Sequence, residues 1–81
     1  METVLIVDDE KNYPLILAAV LEEEGFETFT ANSGPEALEL LKNTDVDLVL
    51  TDMKMPFMDG IKLLEKIKTK DEELPAIMMT A

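Results

Sequence analysis

The 81-residue chain contains no cysteine and no histidine. Without cysteine there is no disulfide framework and no thiolate metal site, which fits a reducing compartment. Without histidine, catalysis by an imidazole of this chain is excluded. Basic residues are scarce, 7 Lys and Arg against 18 Asp and Glu, for a net charge of −11. Phosphate backbones are gripped by Lys and Arg, so this balance argues against direct nucleic-acid binding. It suits divalent cations or a basic partner surface instead. No apolar run approaches the ~20 residues of a membrane span, and a strand pattern begins too close to the N-terminus for a signal peptide. No Gly-x-Gly-x-x-Gly or P-loop follows the first apolar run, which disfavours a nucleotide or flavin site. What remains, 47% apolar and 31% charged, is one small globular domain without repeats or linkers.

The pattern is organised around Asp47-Leu-Val-Leu-Thr-Asp52. Three apolar residues without alternation predict a strand buried on both faces. Pro56 and Gly60 break the pattern before helical spacing starts near Ile61, so Asp52 closes the strand. Open α/β sheets place ligand chemistry at that end of a strand. A carboxylate there is costly unless something pairs with it.

Taken in order, Thr3–Val7 is a β-branched and aliphatic run ending in Asp8-Asp9-Glu10. A helix is predicted from about Asn12, its N-cap, to Glu24, with Pro14 in the first turn and Leu15, Ala18, Ala19 and Leu21 at helical spacing. Gly25 is the stop. Glu22–Glu24 is read as a solvated face. Residues Glu27–Ala31 alternate like an edge strand. Ser33 and Glu36 form a capping box for a helix that buries Ala37, Leu38, Leu40 and Leu41 and ends near Lys42. Asp59 is the cap of a third helix, with Ile61, Leu64 and Ile67 on its apolar stripe and Lys62, Lys66 and Lys68 outside it. Pro75 precedes a last strand, Ala76–Thr80. The order is βαβαβαβ, an α/β chain with parallel strands and right-handed crossovers.

Parallel strands bring Asp8, Asp9 and Asp52 to one rim. Three carboxylates in one pocket repel, and their ionised state calls for a cation, Mg2+ ahead of Ca2+ or Mn2+ for all-oxygen ligation. Thr80 adds a hydroxyl to the same rim. The chemistry then open is a carboxylate nucleophile beside a metal, and carboxylates do accept phosphoryl groups. Plainer readings stand beside these: Asp8 and Asp9 as a turn and cap, Asp52 as a loop carboxylate, and Thr80 as a β-former. Lys54 reads as a solvated side chain, Asp59 as a cap only, and the methionines as packing.

Val-Asp-Asp-Glu10, Leu-Thr-Asp52-Met-Lys-Met-Pro56-x-x-Asp-Gly60 and Met-Met-Thr80-Ala81 resemble, in order and on the right elements, the receiver domain of two-component response regulators. The resemblance implies a doubly wound, flavodoxin-like sheet. It makes Asp52 a phosphoacceptor supplied by a histidine kinase, Asp8 and Asp9 holders of Mg2+, and Lys54 a backbone-carbonyl ligand. Thr80 would contact the phosphoryl group and switch. The domain would be a cytoplasmic acceptor, not an enzyme beyond its own phosphorylation and dephosphorylation.

Receiver domains run on for roughly another 40 residues. The resemblance therefore marks residues 1–81 as a partial receiver, without the fifth strand, the last two helices, the phosphate-binding lysine or the output face. The expected strand order is 2-1-3-4. Its exposed fourth-strand edge should pair with a second copy as a dimer or larger assembly. The alternative is a structural or engineered fragment that self-associates and is not phosphorylated.

Overall fold

The computed structural model describes residues 2–79. Seven elements alternate: β1 (Thr3–Val7), α1 (Asn12–Glu23), β2 (Glu27–Ala31), α2 (Gly34–Asn43), β3 (Leu48–Asp52), α3 (Gly60–Lys70) and β4 (Ala76–Met79). All strand pairs are parallel, in the expected order β2-β1-β3-β4. The register sets Val7 beside both Ala31 and Thr51, which brings the C-terminal ends of the inner strands level.

The sheet separates two apolar layers. Leu5, Val7, Val49, Leu63 and Ile67 pack on the α2–α3 side; Val4, Ile6 and Ala18 pack on the α1 side. β1 is buried along its whole length, as a strand between two layers should be. β3 departs from the expectation of burial on both faces. Val49 and Thr51 are buried, but Leu48 and Leu50 are only half-buried. The reason is the position of α1, which packs against β2 and β1 and leaves that face of β3 partly open among the described residues.

The helix ends follow local chemistry. At the end of α1 the Phe26 N–H reaches the Leu21 carbonyl and the Gly25 N–H reaches Glu22, at 3.1 Å each. With Gly25 at φ +97° this is a Schellman motif, closed by the Leu21–Phe26 apolar contact. Glu22 is exposed but not simply solvated, since it accepts the Thr28 hydroxyl at 2.6 Å. The predicted Asn12 cap is absent. Lys11 holds the cap position with helical dihedrals, and the Glu10 carboxylate accepts the Asn12 N–H at 3.2 Å. Ser33 caps α2 by accepting the Glu36 N–H, while Glu36 reaches back to the N–H of Asn32, one residue beyond the capping-box partner.

Two predicted stripes are rotated. α1 buries Pro14 and Ala18 and leaves Leu15 61% exposed. α3 buries Gly60, Leu63 and Ile67, with Leu64 half-buried and Ile61 exposed. Lys68, expected outside the stripe, bends over the helix end and donates to the carbonyls of Glu72 and Leu74.

Candidate metal and phosphoryl site

The rim at the C-terminal ends of β1 and β3 gathers the three predicted carboxylates. Asp8, Asp9 and Asp52 each offer an oxygen within 4.8 Å of the others. Asp8 is buried, Asp52 half-buried and Asp9 exposed, so the cluster opens to solvent on one side.

Each side chain is held by its own stretch of backbone. The Asp8 N–H donates to the Ala31 carbonyl at 3.0 Å, carrying the β1–β2 ladder one residue past the strand. Asp8 Oδ1 accepts the Glu10 N–H at 2.9 Å. Asp52 Oδ1 accepts the Met53 N–H, also at 2.9 Å, which fixes one oxygen, while Oδ2 has no protein donor among the described residues. Both carboxylates are therefore oriented without using up their ligand capacity.

Burial pushes the Asp8 carboxyl above its ordinary value near 3.8. The charges of Asp52 and Asp9 act in the same direction, and the Glu10 N–H opposes them. Among the described residues the ion pairs are Lys42–Glu39 and Lys62–Glu65, and neither touches this cluster. Three hard oxygen donors from two strand ends, with Asp8 raised by burial and by its acidic neighbours, suit a small divalent cation such as Mg2+.

The loop after β3 brings the end of that strand against α3. The Gly60 N–H donates to the Met53 carbonyl at 2.8 Å, closing residues 53–60 into a ring. Gly60 sits so close that a Cβ would run into the Asp52 carbonyl oxygen and the Met53 Cα. Only glycine fits there. Asp59 caps α3 by accepting the Lys62 N–H at 2.8 Å, as expected, and is exposed.

Lys54, the next residue but one after Asp52, has an exposed side chain. Thr80 lies outside the described residues. Two features had no sequence signal. Asn32 donates from Nδ2 to the Asp8 carbonyl at 3.4 Å, tying the β2–α2 turn to the acidic rim. Phe57 lies at φ +71° in a γ-turn made by the Met58 N–H and the Pro56 carbonyl, 2.7 Å apart. A positive φ at a bulky residue costs on the order of 1–3 kcal/mol.

Residues 4–81 match the family described as response regulator receiver domain. The chain is 45% identical over 80 residues to sporulation initiation phosphotransferase F of Bacillus subtilis, covering 99% of this chain and 64% of that protein. It is also 45% identical over 78 residues to regulatory protein AtoC of Escherichia coli, covering 96% of this chain but 17% of that one. The response regulator protein TrrA of Thermotoga maritima, solved in complex with Mg2+-BeF, superposes with a TM-score of 0.95 at 38% identity, over 100% of this chain and 70% of that one. Motif order, sheet topology, acidic rim and these likenesses agree: the chain belongs to the receiver-domain family of two-component response regulators.

Proposed function

We propose that residues 1–81 act as a receiver unit that takes a phosphoryl group on Asp52 from a histidine kinase. The observation that carries this is the convergence of Asp8, Asp9 and Asp52 within 4.8 Å, with one Asp52 oxygen tied down and the other without a protein donor among the described residues. Asp52 attacks as an ionised carboxylate. A bond forms from its Oδ2 to phosphorus as the phosphorus–nitrogen bond of the donor's phosphohistidine breaks; the imidazole leaves with that electron pair and takes up a proton from water. Asp52 needs no general base, which agrees with a chain lacking histidine.

Asp8 and Asp9 would hold Mg2+ together with Asp52 and the Lys54 carbonyl oxygen. Bound there, the ion neutralises charge on the transferring oxygens. Thr80 is assigned the phosphoryl contact on the family pattern alone. The chain promotes only its own phosphorylation and dephosphorylation. A cytoplasmic location follows from that partner, and no helix is long and apolar enough to cross a membrane among the described residues. The acidic surface keeps nucleic acid off this segment.

Acetyl phosphate with Mg2+ should label the wild-type chain once and leave Asp52→Asn unlabelled. Labelling that survives the substitution defeats the assignment. We also propose that β4, whose one sheet neighbour among the described residues is β3 and whose Ile77 is exposed, pairs with β4 of a second copy.

A further inference from the structure

Among the described residues Phe57 is the most exposed large apolar one, at 98%, and it occupies a backbone conformation that side chains disfavour. A ring so exposed makes almost no contact within the chain that could offset the strain. Its place in the fold suggests what does. The loop containing it is closed at its base by the Gly60–Met53 hydrogen bond beside Asp52. Phe57 is three residues from Gly60, so its Cα lies within about 11 Å of that closure. Phe57, Met58 and Ile61 line one shallow depression together with Asp59, Lys62 and Glu65, and Ile61 is itself 51% exposed. Beside the acidic hollow around Asp52 there is therefore a second surface, where Phe57 and Ile61 project among charged side chains.

The two surfaces discriminate between phosphoryl donors. A small acyl phosphate fits the hollow and has no need of the second surface. A protein donor cannot bring an imidazole-bound phosphorus to bonding distance of Asp52 without laying its own surface over the rim. We infer that Phe57, flanked by Ile61, is a docking and specificity residue for a protein phosphodonor. Its ring packs on an apolar side chain neighbouring the donor's phosphohistidine. The inference rests on Asp52 being the acceptor. It assigns Phe57 to recognition and not to the transfer of phosphorus from nitrogen to oxygen.

The test uses the full chain as wild type, Phe57→Gly and Phe57→Tyr. Glycine keeps the turn and relieves its φ; tyrosine keeps the ring. The probes are acetyl phosphate with Mg2+ and the phosphorylated catalytic core of a histidine kinase that labels the wild-type chain. With the kinase core, Phe57→Gly should raise KM about tenfold with kcat within about twofold of wild type, and Phe57→Tyr should restore KM. With acetyl phosphate all three should react within about twofold of one another. An unchanged KM for Phe57→Gly overturns the inference. So does a parallel loss with acetyl phosphate, which would mean that Phe57 shapes the acceptor loop. So does a Phe57→Gly variant whose only change is a lost dimer by light scattering, since Phe57 would then serve a second copy. If the wild type is labelled by neither probe, the acceptor reading falls, and this inference with it.

Discussion

Gly60 presses against the Asp52 carbonyl while its own N–H holds the Met53 carbonyl at 2.8 Å. The first residue of α3 and the last residue of β3 thus share one contact. Obstruction there is backbone against backbone and cannot be relieved by a rotamer change. Gly60→Ala should cost about 2–3 kcal/mol in urea unfolding. It should also slow acetyl phosphate labelling, because the strand end carrying Asp52 must shift.

Gly34 offers the opposite case. A Cβ at Gly34 would meet Met58 Sδ at 2.7 Å, an atom towards the far end of a flexible side chain that can swing aside, although Met58 Cβ at 3.0 Å cannot. Gly34→Ala should destabilise by about 1–2 kcal/mol. Combined with Met58→Ala, it should lose much of that penalty, giving a coupling of at least about 0.5 kcal/mol in a double-mutant cycle. Strict additivity would mean that the β3–α3 loop does not rest on α2.

Asp8 makes metal-free stability depend on pH with a definite sign. Burial first, and then the charges of Asp52 and Asp9, raise its folded-state affinity for a proton. The folded state therefore binds more protons than the unfolded one as pH rises from near 3.8 through the raised value. Asp8's contribution to stability falls across that window and stays unfavourable above it. Asp8→Asn should then melt higher than wild type at neutral pH without metal, and the difference should vanish in acid. Added Mg2+ should stabilise wild type by about 2.7 kcal/mol at a hundredfold excess over its Kd, and Asp8→Asn by no more than about 1.4 kcal/mol at the same concentration.

β4, whose one sheet neighbour among the described residues is β3, carries a concentration-dependent prediction. Ile77 is 53% exposed on that strand. Ile77→Lys should shift light scattering at micromolar concentration from dimer or larger species to monomer, since edge lysines block strand pairing. A wild-type monomer at that concentration would contradict the association.

The carboxylate cluster was legible because Asp8, Asp9 and Asp52 lie at or just past the ends of two apolar runs, and parallel strands bring those ends to one rim. Helix faces were less legible. α1 is apolar almost all round from Leu15 to Leu21, so its spacing could not choose between Leu15, which is exposed, and Ala18, which is buried. α3 turns its Leu63–Ile67 edge inward because Gly60 permits the close approach to Asp52, a cause that hydrophobicity does not register. Local rules allowed the Asn12 cap, but Lys11 already has helical dihedrals, so Asn12 falls inside the helix and its N–H donates to the Glu10 carboxylate. Nothing in Pro56-Phe57-Met58 announces a positive φ, because turn chemistry assigns such positions to Gly or Asn.

Calorimetric titration of Mg2+ into wild type, Asp8→Asn, Asp9→Asn and Asp52→Asn tests most directly whether the three side chains share one ion. One saturable site is predicted in wild type, with affinity reduced at least about tenfold in each variant. Equal affinities in all four proteins, or no saturable uptake by the folded wild-type chain, would contradict it.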